Sequence, residues 1–164
     1  MKLSELIIRQ RVIKDISLQG LHFEDMDFSC RKFFGCNFSG AVFTRCLFTG
    51  SLMRLTFFDF SALSCCDFSN GDFQFLSFAG ASIHDCSFEG SELVNINFGG
   101  TVISDSTFSK TNMGNSRLIY ADITHSDFID CNLKRADFTK TKREEVSFKS
   151  SNTAEALFEM EALK

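Results

Sequence analysis

The segment Ala81–Gly100 reads ASIHD CSFEG SELVN INFGG, four groups of five residues, and this period constrains the chain more than any other feature. Each group opens with a small or modestly apolar residue (Ala81, Cys86, Ser91, Ile96). A large apolar residue follows two places later (Ile83, Phe88, Leu93, Phe98). Apart from Val94, the remaining places are polar, charged or glycine. A period of five matches neither the 3.6 of an amphipathic helix nor the 2 of a half-buried strand. A short fixed repeat predicts a solenoid, in which each unit buries its apolar face only against its neighbours.

The register runs the length of the chain. Every fifth residue from Leu3 to Leu163 is large and apolar, Arg143 and Thr153 excepted, and no insertion breaks the count. All but four of the 21 Phe lie on it, the outliers being Phe34, Phe57, Phe60 and Phe75. The place two residues earlier holds Cys36, Ala41, Cys46, Ser51, Thr56, Ser61, Cys66 and Gly71 in succession.

The triplets Ala121-Asp122-Ile123, Ala136-Asp137-Phe138 and Cys131-Asn132-Leu133 carry a resemblance to the pentapeptide-repeat family, whose consensus is roughly A-(D/N)-L-x-x. The likeness is strong over residues 16–140 and weak at both ends. It implies an all-β, right-handed quadrilateral β-helix with one pentad per side and twenty residues per coil.

One domain is expected for 164 residues. Residues 1–15 read as an N-terminal cap, because Arg11 stands where a small inward residue belongs, and helix and strand both fit Leu6–Ile13. Residues 16–150 read as coils; Arg31 again occupies an inward place, predicting a bulge or a guanidinium that escapes to water. Thr139–Glu145 (TKTKREE) predicts a loop or frayed coil. Asn152 with Glu155 has the outline of a capping box, so residues 152–164 read as a short C-terminal helix, with Leu157, Phe158 and Met160 as a dimer contact.

Net charge is −4, which argues against a general nucleic-acid or anionic-membrane binder. MKLSELIIRQ lacks the apolar run of a signal peptide and no stretch could span a membrane, so a cytoplasmic protein is expected. Of the seven Cys, Cys46, Cys66 and Cys86 recur at twenty-residue spacing and would stack on one inner edge. A thiolate metal site is one reading. Without a C-x-x-C pair, packing of Cys as a small hydrophobe is the better one, and no metal or cofactor is expected.

Asp85, Asp105 and His125 share an outward column, but a column on a flat wall offers no cavity for catalysis. Binding, not enzyme activity, is therefore expected. Two surface features stand out. Between Leu55 and Ser109 there is no Lys or Arg, while Asp59, Asp67, Asp72, Asp85, Glu89, Glu92 and Asp105 fall within it. Leu55, Phe57, Phe60 and Phe75 form the second, an outward apolar group fit for contact with a protein. The resemblance extends to the family's fluoroquinolone-resistance members, acidic DNA mimics that dimerise and occupy the DNA-binding saddle of DNA gyrase. That branch implies gyrase as partner for the acidic band; a scaffold or effector docking through the aromatic group is the alternative.

Overall fold

The computed structural model describes residues 9–158. The chain winds as a parallel β-solenoid of about seven turns. Every pairing joins residue i to residue i+20, from Val12↔Lys32 to Asp137↔Leu157, so each coil has four sides of five residues. The first side is centred on Ile13, Phe33, Met53, Phe73, Leu93, Met113 and Leu133. The second is centred on Leu18 through Phe138, the third on Phe23 through Ile123, and the fourth on Phe28 through Phe148. Three-residue strands form on the third side and on the first as far as Val94, and single parallel bridges hold the second, the fourth and the rest of the first.

Corners explain the period. Each fifth residue from Asp15 to Glu155 has a positive φ, between 45° and 69°, which turns the chain by one side. Two residues inward, one corner, two outward: that alternation points the central residue of each pentad and the one two before it into the rod. The inner small residues do more than fill space. Ser116 donates to the Leu93 carbonyl (2.6 Å) and accepts from the Ile96 amide (3.0 Å), and Ser91 and Ser106 act alike. Buried amides of the residue just after a corner thereby find partners that the ladder does not supply.

The interior is a set of aromatic stacks. Phe28, Phe48, Phe68, Phe88, Phe108, Phe128 and Phe148 stack with ring centroids 4.5–5.4 Å apart. Phe38, Phe58, Phe78 and Phe98 form a second stack, edge-on to the first. Leu63, Ile83, Ile103 and Ile123 form an aliphatic column on the third side.

Four expectations about the ends need correction. Coils begin before residue 16: Val12–Lys14 pairs with Lys32–Phe34 and Ile13 is buried, so only residues 1–8 of the expected cap lie outside the described residues. Thr139–Glu145 is not a loop. Lys142–Glu144 continues the third side, because the backbone ladder is indifferent to side chains that reach solvent. Arg143 lies over the Phe158 ring, 5.0 Å from its centroid, with its charge exposed at the rod's end. At the other end Arg31 stays in register without a bulge and donates to the Gln10 carbonyl (3.2 Å), its Nε buried without a partner.

The expected C-terminal helix is absent through residue 158. Asn152 and Leu157 bridge to Asn132 and Asp137, and the Asn152 side chain accepts from the Ala154 amide within a corner, not a helix cap. Backbone bonds to the coil below (Asn152 N to Cys131 O, 2.8 Å; Leu157 N to Ala136 O, 2.8 Å) satisfy the groups a helix would have paired internally. Phe158 points inward and stacks on Phe138. Leu157 is exposed and Phe158 turns inward, so the two do not share the helical face expected of them, and Met160 lies outside the described residues.

Candidate protein-interaction surfaces

The second side and its two corners bring the off-register aromatics together. Leu55 and Phe75 are consecutive in the corner column before this side; Phe60 lies in the corner column after it; Phe57 projects from the wall between. All four face solvent, Phe60 most of all at 75% exposure. Phe60 folds its ring over Gly80, occupying the space that a Cβ there would need. Beyond it the wall is low, made of Ser77, Ala79, Gly80, Asn97, Gly99 and Gly100, until Tyr120 rises three coils on. Lys140 lies over the Tyr120 ring and donates to its hydroxyl (2.8 Å).

Stability does not account for these residues. Leu55, Phe60, Phe75 and Tyr120 sit at φ between 51° and 61°, where bulky L-residues are strained by roughly 1–2 kcal/mol each relative to glycine. Their side chains gain little burial in exchange. The remaining off-register ring, Phe34, is half-buried under Lys14 and belongs to no patch.

The acidic residues are divided among sides. Asp67, Asp85 and Asp105 line one shallow groove of about 470 Å³ on the fourth side, together with Asp127 and His125, over a floor of Cys66, Cys86 and Ser106. Asp127 lies beyond the base-free stretch, and its place sixty residues after Asp67, in the same column, is the signal that would have found it. Asp72 and Glu92 are on the first side instead. Arg54 pairs with Asp72 (2.6 Å), whereas Glu92 receives only the neutral Asn112 amide (2.8 Å) and keeps its charge. Glu89 receives Lys110 (2.8 Å). Bases that flank the base-free stretch in sequence thus fold back onto its acids one coil away.

The inner thiols behave as stacked packing residues. Cys46 donates to the Phe23 carbonyl (3.4 Å), and Cys86 accepts from the Cys66 amide (3.4 Å) and donates to the His84 carbonyl (3.3 Å), the pattern that serine follows in this column. The neighbouring Cys66 thiol and then burial push the Cys46 thiol well above its ordinary pKa. Cys66 is pushed up to about 12: its bond with Cys46 lowers it, but the Cys86 thiol and burial outweigh that. Among the described residues no group of three His, Cys, Asp or Glu is arranged to hold a metal ion. Nor is any helix among them long and apolar enough to cross a membrane.

Residues 81–158 match the family profile described as a pentapeptide repeat region, and residues 61–100 match that for pentapeptide repeats in eight copies. No curated protein matches the chain. Among solved structures, the chain is similar to HetL of the cyanobacterium Nostoc, a pentapeptide repeat protein involved in heterocyst differentiation regulation. Identity is 10%, covering 95% of this chain and 94% of HetL, with a TM-score of 0.47. A pentapeptide repeat protein of the Arabidopsis thaliana thylakoid lumen shares 21% identity over 74% of this chain and 68% of its own, with a TM-score of 0.37. QnrB1, a plasmid-mediated fluoroquinolone resistance protein, shares 15% over 86% and 90%, with a TM-score of 0.35.

Proposed function

Because the chain belongs to the pentapeptide-repeat family, whose members are typically structural or binding proteins, we propose that it is a non-catalytic binding rod that engages a protein partner through the surface around Phe57 and Phe60. The observation that carries this reading is the contiguity of Leu55, Phe57, Phe60 and Phe75, exposed and mostly strained, on a wall otherwise built of small and polar residues. Grouped exposed aromatics supply large contact area at low side-chain entropy, which is what contact hot spots use. A cytoplasmic setting is part of the proposal and accords with seven free thiols.

The test is capture from the native host by the immobilised chain, compared with a Phe57→Ser, Phe60→Ser, Phe75→Ser variant of unchanged circular dichroism. The variant should lose its partner, and added salt should matter little for the parent. Equal capture by both would overturn the reading.

The acidic groove favours a second one. Asp67, Asp85, Asp105 and Asp127 place four carboxylates on adjoining columns with coil spacing of about 4.8 Å. Such a strip supports occupation of a surface that ordinarily takes duplex DNA, DNA gyrase being the partner that the quinolone-resistance resemblance implies. Changing these four to Asn should then abolish inhibition of gyrase supercoiling, and binding should fall steeply with salt. No effect of the parent chain on supercoiling at micromolar concentration and low salt would reject it.

A further inference from the structure

We infer that the first side of the rod rests on an anionic lipid bilayer, held by the cations of its first two coils and by the apolar side chains next to them. This goes beyond the protein contact proposed above, which centres on Phe57 and Phe60 of the second side.

The ground is how the fold sorts charge. A net charge of −4 opposes an anionic surface only if the charge is spread evenly, and it is not. Across the first side, residues 11–15 and their repeats every twenty to 155, seven Lys and Arg stand against four Asp and Glu. The third and fourth sides together, residues 21–30 and their repeats to 150, carry five Lys and Arg against twelve Asp and Glu. The second side is balanced, Arg117 and Lys140 against Asp59 and Asp137. Among the described residues the first side is thus the positive wall of an acidic rod.

Its cations gather at the N-terminal end. Arg11, Lys14 and Lys32 are exposed and Arg31 is half-buried, and none of the four pairs with a carboxylate among the described residues. Strand pairing sets Lys32 between Val12 and Leu52, and places Phe34, under the Lys14 ammonium at 5.6 Å from its ring, beside Arg54. Leu55 and Phe75 stand exposed on the corner that bounds this side. Cations and apolar groups therefore share one flat wall. A lipid surface takes both, its anionic headgroups meeting the cations while apolar side chains enter the acyl boundary. Duplex DNA would use the cations and leave Val12, Leu52 and Phe75 against water.

The acids are held away from that surface. The third side lies across the Phe-filled core, and packed sheets stand about 10 Å apart, beyond the Debye length of about 8 Å at physiological ionic strength. On the first side itself Arg54 neutralises Asp72, and Lys134 and Arg135 share Glu155. Asp15 and Glu92 are the acids of this side without an ion pair among the described residues. Each cation near an anionic leaflet is worth about fivefold in partitioning, so three contribute about a hundredfold.

The test is co-sedimentation of the full chain with vesicles of phosphatidylcholine and phosphatidylserine at about 2:1, against phosphatidylcholine alone, as salt is raised. The chain should pellet with the anionic vesicles only, and less at higher salt. An Arg11→Gln, Lys14→Gln, Lys32→Gln variant should bind about a hundredfold more weakly. A Lys110→Gln, Arg117→Gln, Lys149→Gln variant has the same net charge but an intact first side, and should bind within about threefold of the parent. A Leu55→Ser, Phe75→Ser variant should lose about tenfold with its melting curve unchanged, since serine already adopts this corner conformation at Ser150. Absence of the parent from the anionic pellet at low salt overturns the proposal. Equal weakening of the two glutamine variants also overturns it, because net charge and not the first side would then govern binding. If the serine variant binds as the parent does, the apolar groups do not enter a bilayer, and the lipid assignment fails in favour of a soluble polyanion.

Discussion

Phe88→Ala against Phe60→Ala tests the register at its core. Phe88 is fully buried and stacks between Phe68 and Phe108, at 4.8 and 4.7 Å with rings within 7° of parallel. It also meets Phe78 and Phe98 edge-on at 5.9 and 6.3 Å. Truncating a buried Phe is worth roughly 3–5 kcal/mol. Losing four aromatic contacts and opening a gap between two fixed coils, which cannot collapse without breaking the ladder, puts this site at the upper end. At about 2–4 °C per kcal/mol for a chain of this size, a fall of roughly 10–15 °C in Tm is expected. Phe60→Ala removes a ring that covers only Gly80 and leaves the left-handed corner as it was, so a shift within about 2 °C is expected. Thermal melts by far-ultraviolet circular dichroism read both. Because a solenoid can unfold in segments, urea midpoints at two wavelengths should accompany them. Variants melting within 2 °C of each other would refute the assignment of inward and outward places.

Gly71 should be intolerant for a reason unrelated to its backbone: the Phe73 ring fills the space a Cβ would take. Gly71→Ala should cost about 1–3 kcal/mol in urea unfolding, and Phe73→Leu in the same chain should recover part of it, as a double-mutant cycle would show; additive losses would refute the overlap. On acidification, Asp25 is held below its ordinary 3.8 by the hydrogen bond from Arg45, and Glu155 below its ordinary 4.5 by that from Arg135. Both folded-state values are depressed, so their support is present above about pH 4.5 and is lost as pH falls through the folded values. Melting temperature should drop over that range, and an Arg45→Met, Arg135→Met variant should show a shallower drop. An identical slope would remove these pairs from the acid response.

The core was legible in the sequence because the interior of a solenoid is local. Whether Phe88 or Met113 points inward depends on its place within its own pentad, and a period of five states that place directly. The same locality made the column neighbours of any residue readable by adding twenty, which brought Leu55 next to Phe75 and Asp85 next to Asp105. Where a competing local signal existed, it misled. Asn152 and Glu155 have the spacing of a helix cap, yet the coil beneath offers their backbone a ladder, and pairing with it wins. The charges of Lys140–Glu145 resemble a loop, but strand pairing at Lys142–Glu144 involves no side chain.

Tertiary structure alone decided what the surface does. The base-free stretch is a fact of sequence, but Arg54 and Lys110 reach Asp72 and Glu89 from adjoining coils, while Asp67, Asp85 and Asp105 gather with Asp127 in one groove. Phe34 and Phe60 are equally off register in the sequence. One is covered by its surroundings and the other stands out from a corner, because exposure depends on what the next coil carries: Gly80 beneath Phe60 offers a floor and no wall. Periodicity sets which way a side chain points; only the stacking of coils sets what it meets there.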